Sequence, residues 1–343
     1  MRGKKRRLTA PSTTPWDQKS EREIGPAEAI VRACHRNMYR YRHAPASLDG
    51  EAEFFNAYTR DACPGCASPK IQSKGYDKNG MRRWRCRSCG KSFSPATGTV
   101  FENHKLPVAD WTEFLLELFS FESINGITRA NRRSTTTVPY WVAKLFAVLE
   151  NIQDGVMLSG TVQIDEKLYP LAAKNQPLMP DGSKMPGGFS RSKICIGVGC
   201  DRRGSSLFVR EGLGKTSGAK TMAAFGSRIA PGSKLIHDME NGHNMLVREL
   251  DLVSEVYNSK AICKLPDEEN PLREVNRLCF LLELFLNSHS GFDRDDLDGW
   301  LDLFWVIMNP PTNKMKKVAF VLDRAMHNSK TLSYREFYKK KPS

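Results

Sequence analysis

Apolar residues recur at helical spacing between residues 107 and 150. The first set stands at positions i, i+3, i+4, i+7 and i+8, one face of a helix: Trp111, Phe114, Leu115, Leu118 and Phe119. After a break around Gly126, Pro139 stands near the start of a second helix, whose apolar stripe is Val138, Val142, Leu145 and Leu149. Residues 105–155 are therefore predicted to form two or three short helices with a glycine-containing turn, as in a helix-turn-helix segment.

From about residue 160 the pattern changes to strands. Short apolar runs predict four of them: Thr161–Tyr169, Ile194–Cys200, Ser206–Arg210 and Ser233–His237. Other segments predicted in this part are a Pro/Gly-rich loop, a helix-like segment and a strongly apolar helix: Lys174–Arg191, Ala219–Ile229 and Pro271–Leu286. Three strands in succession with a late helix favour an RNase H-like α/β domain over residues 156–310, with a mixed sheet flanked by helices.

Length and charge narrow the class of partner. The chain has 343 residues, of which 40% are apolar, enough for two or three domains with their own cores. Lys and Arg total 52 against 38 Asp and Glu, and the net charge of +14 favours a polyanionic partner such as nucleic acid. No apolar run approaches the roughly 20 residues that span a bilayer, and Met1–Arg7 lacks the apolar stretch of a secretory signal. We therefore expect a cytoplasmic protein with no membrane partner.

Four of the nine cysteines form two CxxC pairs, Cys63 with Cys66 and Cys86 with Cys89, separated by nineteen residues. Each CxxC turn aims two thiolates at one point, and two such turns complete a tetrahedral sulfur shell suited to zinc. Because protein sulfur fills all four positions, the zinc is expected to be structural. The other five cysteines are scattered, a pattern that fits a reducing cytoplasm. Residues 61–104 are therefore predicted to form a zinc ribbon.

Basic and aromatic residues surround the cysteine pairs. Tyr76 and Trp84 are interleaved with a run of positive charge, in which four arginines are candidates for phosphate contact: Arg82, Arg83, Arg85 and Arg87. On the second predicted helix, the polar side carries three further candidates for DNA contact: Thr136, Tyr140 and Lys144. A structural bridge between domains is the alternative interpretation of these helices. Double-stranded DNA is therefore the expected partner.

Two aspartates close apolar strands: Asp165 ends the run that starts at Val162, and Asp238 ends the run that starts at Leu235. Oxygen ligands from separate elements gather Mg²⁺ or Mn²⁺ ions for in-line phosphoryl transfer, so these carboxylates are candidate metal ligands. A third ligand is expected from the late helix, where the candidates are Glu274, Asn276 and Glu283. Asn276 and Glu283 are seven positions apart and share a helix face.

The chain as a whole is thus predicted to be a multidomain α+β protein. Two segments precede the zinc ribbon: a polar, basic, disordered tail at 1–20 and an N-terminal helical segment at 21–60, which includes Ala27–Tyr41. After the zinc ribbon (61–104) come the helix-turn-helix segment (105–155) and the RNase H-like catalytic domain (156–310). Residues 311–343 are predicted to be a basic C-terminal tail.

Several of these segments resemble one known family. The run Arg83–Trp111 is similar to the ribbon-to-helix junction of bacterial insertion-sequence transposases that carry an N-terminal zinc ribbon and a DDE-type catalytic core. Val162–Glu166 resembles the family's first catalytic strand, and Leu235–Asp238 matches its second catalytic Asp. Lys174–Lys193 resembles its Gly/Lys-rich insertion, and Val275–Asn276 resembles its last helix. The resemblance covers roughly residues 55–308.

The resemblance implies a DNA transposase that binds the terminal inverted repeats of its element and cleaves DNA with metal-activated water. It would join the 3′-hydroxyl to target DNA, as a homo-oligomer in the bacterial nucleoid. It implies Asp165, Asp238 and Asn276 as magnesium ligands, because some branches of the family have Asn at the third position. The family favours Lys seven residues later, where this chain has Glu283, so Glu283 and Glu274 stay rival ligands.

Two alternatives to an active transposase stay open. One is a catalytically weakened, transposase-derived protein that binds DNA through the zinc ribbon and the helices. The other is a zinc-ribbon nuclease of another pathway. Asp165 and Asp238 argue for catalysis, whereas Asn276 and Glu283 favour the weakened protein.

Overall fold

The structure is a computed structural model that describes most of the chain beyond residue 47: Ala27, Ile30, Val31 and residues 48–339, except 105, 132, 173–174 and 184–189. The expected tail at 1–20, most of the expected helix Ala27–Tyr41 and much of the loop Lys174–Arg191 lie outside the described residues. The chain divides into two units, Met1–Ser47 and Leu48–Ser343. The fold that follows is that of the second unit.

Helices and strands follow one another with short connections. The first part of the unit consists of α1 (Leu48–Asn56), β1 (Ile71–Tyr76), β2 (Arg82–Cys86), β3 (Ser92–Phe93), α2 (Val108–Leu118), α3 (Ile124–Ala130) and α4 (Thr137–Leu149). The second part consists of β4 (Thr161–Pro170), β5 (Lys193–Asp201), β6 (Ser206–Leu213), α5 (Gly218–Phe225), β7 (Lys234–Asp238), α6 (His243–Glu249), β8 (Val253–Tyr257), α7 (Ser259–Ile262), α8 (Arg273–Ser288), α9 (Leu297–Met308), α10 (Lys314–His327) and α11 (Tyr334–Lys339).

The strands β1, β2 and β3 form a small antiparallel sheet in that order. Trp84 on β2 pairs with Ser73 on β1 and with Phe93 on β3, and the Trp84 and Phe93 rings stack with their centroids 5.7 Å apart. These two rings pack in one buried cluster with Cys63 and Cys86. A core of this size is too small to keep the segment folded by itself, so a metal held by the cysteines is expected to supply the missing stability.

A mixed sheet with the strand order β6-β5-β4-β7-β8 lies at the centre of the unit. The strands β4, β5 and β6 run antiparallel, whereas β7 and β8 run parallel to β4. Helices α8 and α9 pack on one face of the sheet, and α5 and α6 pack on the other. Because both faces are covered, β5 is buried along almost its whole length. The arrangement is compatible with the predicted RNase H-like domain.

The two apolar stripes predicted from the sequence lie on α2 and α4, with Phe119 immediately after the end of α2, and every residue of both stripes is buried. They belong to one hydrophobic core that also includes residues of β5, α8 and α9. The segments on either side of residue 155 therefore share a core. Gly126 is not at a break, because it lies inside α3. The chain turns before α3 instead, where Phe121 has a φ of 62°.

The prediction of a C-terminal tail is wrong for residues 314–339, which contain two helices. Helix α10 packs against α2 and α4 through a buried apolar stripe: Val318, Val321, Ala325 and Met326. Lys317 is 4% exposed, and its Nζ donates to the carbonyls of Val306 and Asn309 near the end of α9 at 2.6 and 2.5 Å. The sequence analysis missed this stripe because the lysines around it are typical of a solvent-exposed segment.

Among the described residues, no helix combines the length and the apolar character needed to cross a membrane.

Candidate functional site

The two CxxC turns bring their sulfur atoms together beside the β1–β3 sheet. The Sγ atoms of Cys63 and Cys89 lie 3.7 Å apart, and those of Cys66 and Cys86 lie 3.6 Å apart. All four sulfur atoms lie within 4.8 Å of one another. Zinc–sulfur bonds of about 2.3 Å in a tetrahedron place the sulfur atoms about 3.8 Å apart. The cluster therefore fits one zinc ion.

Backbone N–H groups point at two of these sulfur atoms. Gly65 donates to the Sγ of Cys63 at 3.4 Å, while Ser88 and Cys89 donate to the Sγ of Cys86 at 3.3 and 3.5 Å. The Gly65 hydrogen bond lowers the pKa of Cys63, and those from Cys89 and Ser88 lower the pKa of Cys86 to about 6. The thiolate is the form that binds zinc, so these hydrogen bonds favour the metal-binding form of Cys63 and Cys86. Hydrogen bonds with the neighbouring thiols of Cys89 and Cys86 instead raise the pKa of Cys66 to about 12.

The exposed arginines of β2 and its buried side chains lie on opposite faces of the strand. Arg83 and Arg85 are exposed on the face opposite the buried side chains of this strand, and Arg87 is exposed in the turn that follows it. Arg83 and Arg85 stand about 6.7 Å apart along the strand. Arg82 is half-buried, with its guanidinium carbon 5.9 Å from the ring centroids of both Tyr76 and Trp84. Within the part of the chain that the structure describes, no ion pair involves the three exposed arginines, so their charge is available to an external anion.

Lys144, expected to contact DNA, is instead buried. It is 6% exposed, and its Nζ donates to the carbonyl of Val100 at 2.5 Å. Burial lowers the pKa of Lys144 to about 8. The expectation that Lys144 lies on the polar side of α4 is therefore corrected: that side of the helix packs against the Val100 segment, and the amino group is used inside the protein.

The C-terminal segment, residues 328–339, lies against the start of α4. The hydroxyl of Tyr140 donates to the carbonyl of Leu332 at 2.6 Å. The carbonyl of Thr136 accepts a hydrogen bond from the hydroxyl of Tyr338 at 3.0 Å. The two remaining candidates for DNA contact on α4 are thus half-buried, and each is bonded to the C-terminal segment.

Asp165 and Asp238 come together because β4 and β7 are parallel neighbours. Gln163 pairs with Ile236, so two residues further on Asp165 stands beside Asp238. The structure therefore brings the predicted pair to one edge of the sheet. Carboxylate oxygens from separate strands are ligands of the kind that Mg²⁺ and Mn²⁺ prefer.

Asp165 is a half-buried residue of β4 whose side chain faces α8. Its Oδ1 accepts the N–H of Glu166 at 2.8 Å, and its Oδ2 lies 3.7 Å from the Sγ of Cys279 on α8. Burial, with the negative charges of Glu166 and Asp238, raises the pKa of Asp165 to about 6. A cation bound at this edge would favour the charged carboxylate. A perturbed acid of this kind is typical of a functional site.

Helix α8 carries the three candidates for the third ligand. Asn276 is exposed and lies one turn before Cys279, so it stands near the side of the helix that meets β4. Glu283 lies one turn after Cys279, and its Oε2 accepts a hydrogen bond from the Nζ of Lys167 at 2.5 Å. Glu274 is exposed in the first turn of the helix. Two of the three already lie beside a cation: Glu283 is held by Lys167, and the Oε1 of Glu274 lies 3.4 Å from the Nε of Arg273.

A pair of buried histidines, which the sequence analysis missed, lies beside Asp238. His237 and His243 are 2% and 0% exposed, and their Nδ1 atoms lie 3.0 Å apart. The Nε2 of His243 lies 2.7 Å from the Oε1 of Glu166, and its Nδ1 lies 3.8 Å from the Oδ1 of Asp238. The Nε2 of His237 lies 2.9 Å from the Oγ of Ser254. The two histidines are six positions apart, but their contact depends on the packing of α6 against the sheet.

The two histidines differ in their preference for a proton. Burial, together with the charge of the neighbouring His243, lowers the pKa of His237 to about 4. Burial also acts against a charge on His243, but the hydrogen bond and charge of Glu166, with the charges of Asp238 and Asp165, raise its pKa above the ordinary value. His237 is therefore the neutral member of the pair at physiological pH.

A scan against protein-family models finds no matching family, and a search of curated proteins finds no match. Among solved structures, the chain is similar to the crystal structure of a pre-cleavage Mos1 transpososome. The match has 11% sequence identity and a TM-score of 0.24, and it covers 65% of this chain and 80% of that chain. A likeness this weak carries no argument about fold or function, so both rest on the residues of this chain.

Proposed function

We propose that the protein is a DNA transposase whose catalytic site lies at the edge of the sheet formed by β4 and β7. The observation that carries the proposal is the adjacency of Asp165 and Asp238 on parallel neighbouring strands, beside a helix that carries Asn276. The substrate is double-stranded DNA, at the terminal inverted repeats of an insertion sequence and at the target. The three exposed arginines of the ribbon supply phosphate contacts.

The proposed ligands of Mg²⁺ or Mn²⁺ are Asp165, Asp238 and Asn276. When bound, such ions activate water and stabilise the charge that develops in an in-line phosphoryl transfer. The two aspartates supply negative charge, and the amide oxygen of Asn276 supplies a neutral ligand. Glu283 is the weaker candidate, because Lys167 already holds its carboxylate.

Strand transfer adds requirements beyond the single chain. Two DNA ends have to be held together before their 3′-hydroxyls join the target, so we propose that the protein acts as a homo-oligomer on DNA. The cysteine cluster holds a structural zinc and fixes the arginine-bearing strand β2. The reaction takes place on the nucleoid of a bacterial cytoplasm.

A second candidate function is that of a catalytically weakened, transposase-derived protein that binds DNA without cutting it. Two residues favour it: Asn276 provides no charge to the metal, and Glu283 brings a negative charge where the resembling transposases have Lys. Lys167 counts against it, because its ammonium group pairs with Glu283 and places positive charge at the same turn of α8.

A cleavage and strand-transfer assay tests the proposal. The probe is a duplex made from the DNA that flanks the gene, incubated with full-length protein and either Mg²⁺ or Mn²⁺. We expect Asp165→Asn and Asp238→Asn each to lower cleavage by about 100-fold or more, because several kcal/mol of transition-state stabilisation depend on the metals. DNA affinity should stay within about twofold, since recognition lies elsewhere. Asp267→Asn, at an exposed loop position, is the matched control.

The outcomes of this assay separate the candidate functions. Cleavage and joining by the wild-type protein, lost in both aspartate variants, support the transposase. Full activity of Asp165→Asn overturns the catalytic site. Specific binding of the wild-type protein without cleavage in either metal favours the weakened DNA-binding protein. Cleavage without joining favours a nuclease.

The third ligand is tested by variants on α8. If Asn276 binds the metal, Asn276→Ala lowers cleavage while Asn276→Glu keeps or raises it, because the added charge tightens Mg²⁺ binding. Glu283→Gln then has a mild effect. The reverse result, a strong loss in Glu283→Gln with a mild one in Asn276→Ala, would assign the role to Glu283. The two residues cannot both ligate one ion directly, since seven residues of helix separate their backbones by about 10 Å.

A further inference from the structure

We infer that His237, Asp238 and His243 form a binding site for a divalent transition-metal ion such as Zn²⁺ or Co²⁺. The site differs from the proposed magnesium site in its ligands, although the two share Asp238. The inference rests on the arrangement of the histidine pair and not on the proposed function, because it holds whether or not the protein cuts DNA.

The ligand atoms of this site are already close to the geometry that a metal needs. The Nδ1 atoms of His237 and His243 lie 3.0 Å apart, and the Nδ1 of His243 lies 3.8 Å from the Oδ1 of Asp238. The three residues offer ligand atoms that all lie within 4.8 Å of one another. Bonds of 2.0–2.1 Å in a tetrahedral zinc site place ligand atoms about 3.3 Å apart. The observed separations lie on either side of this value, so small movements would complete the site.

Each imidazole ring is held through its Nε2 atom, and the two Nδ1 atoms face each other at 3.0 Å, where a metal ion would bind by displacing the proton they share. The Nε2 of His243 bonds to the Glu166 carboxylate at 2.7 Å, and the Nε2 of His237 bonds to the Oγ of Ser254 at 2.9 Å. Histidine ligands of metals nearly always use the second ring nitrogen in this way, and a carboxylate partner fixes the tautomer and makes the ligand more basic.

The donor set selects the class of metal. Two imidazole nitrogens with one carboxylate oxygen suit zinc and its transition-metal neighbours, whereas Mg²⁺ prefers oxygen ligands throughout. Three protein ligands also leave a fourth tetrahedral position open, as in zinc sites that bind water or substrate. The side chain of Asp238 is 29% exposed while the side chain of His243 is fully buried, so the open position is expected on the solvent side, next to Asp165.

A cobalt titration tests the site without DNA. Full-length protein whose cysteine cluster carries zinc is titrated with Co²⁺, and the visible d–d bands of a nitrogen- and oxygen-ligated site are recorded. We expect one Co²⁺ per chain beyond the zinc, and loss of the bands in His243→Phe. Glu166→Gln keeps all three ligands and should weaken Co²⁺ binding by about 10–100-fold, as loss of an outer partner does. His327→Phe, which alters an exposed histidine, is the matched control.

The variants also separate this inference from the proposed catalysis. Asp165→Asn, which should stop DNA cleavage, should leave Co²⁺ binding in place. A wild-type protein that binds no Co²⁺ beyond the cysteine cluster overturns the inference, and so does Co²⁺ binding that His243→Phe does not change. If His243→Phe fails to fold, as judged by circular dichroism, Glu166→Gln decides: unchanged Co²⁺ affinity in that variant counts against the site.

Discussion

Replacing Asp165 with Asn is predicted to stabilise the metal-free protein. Burial raises the pKa of the Asp165 carboxyl from 3.8 to about 6, so the charged form is disfavoured in the folded state. At about 1.4 kcal/mol per pKa unit, this difference costs the wild-type protein about 3 kcal/mol once the pH is well above 6. Asn is uncharged and can still accept the N–H bond from Glu166. We therefore expect Asp165→Asn to be more stable by up to about 3 kcal/mol at pH 8.

The raised pKa of Asp165 also determines how the stability difference between Asp165→Asn and the wild type changes with pH. A carboxyl whose folded-state pKa is raised contributes most to stability below its unfolded pKa of 3.8, and loses that contribution as the pH rises through about 6. The advantage of Asp165→Asn should therefore shrink to about half its full value at pH 5. Adding Mg²⁺ should also reduce it, because the ion binds only the wild-type carboxylate well.

Urea denaturation followed by circular dichroism, in magnesium-free buffer at pH 5 and pH 8, measures the effect. Chelators are avoided because they would strip the cysteine cluster. The control is Asp267→Asn, whose side chain is exposed in a loop, and it should change stability by less than about 0.5 kcal/mol. A variant of Asp165 that is less stable than wild type at pH 8, or that differs from it equally at both pH values, would refute the reasoning.

The remaining predictions concern the ribbon and α4. Cys86→Ser should remove one zinc per chain and unfold residues 61–95, since the metal replaces a core there; unchanged zinc by metal analysis would contradict this. Glu at the three exposed ribbon arginines should weaken binding to all DNA sequences and reduce the slope of log affinity against log salt by about 0.9 for each lost phosphate contact. An unchanged slope would contradict it, and the control is charge reversal at Arg248, Lys260 and Lys264. Lys144→Met should leave DNA affinity unchanged by fluorescence anisotropy and raise stability at pH 7, because burial lowers the pKa of Lys144 to about 8 and charging it costs free energy below that pH; a tenfold loss of affinity would restore it as a DNA contact.

The helices and strands whose apolar residues recur at regular spacing were predictable from the sequence. The stripes of α2 and α4 and the strands that carry Asp165 and Asp238 lie where their patterns placed them, because each buries an apolar face, although β4 continues past Asp165 to Pro170. The edge strand β8 was missed, and two of its apolar residues, Val253 and Val256, are exposed. An edge strand of this kind lacks the alternation of buried apolar and exposed polar residues by which a strand is predicted from sequence.

The residues missed at the site depend on tertiary contacts. His243 looks like one polar residue in a short helix, and only the packing of α6 on the sheet brings it to Glu166. Lys144 looked solvent-facing because lysine is usually exposed. Its burial follows from the Val100 segment, which presents a carbonyl to its amino group. Lys167 and Glu283 are separated by over a hundred residues, so their ion pair has no local signal.

The packing of α10 against α2 and α4 has a consequence for how the protein is made. Roughly 160 residues separate the end of α4 from α10, and a ribosome adds about 5–20 residues per second. The early helices therefore wait on the order of 10–30 s before the helix that covers them is synthesised. During that time their apolar faces are open to chaperones or to aggregation. An mRNA truncated before codon 314 should thus yield a chain that is degraded. It should not yield a folded fragment that competes with the intact protein for DNA.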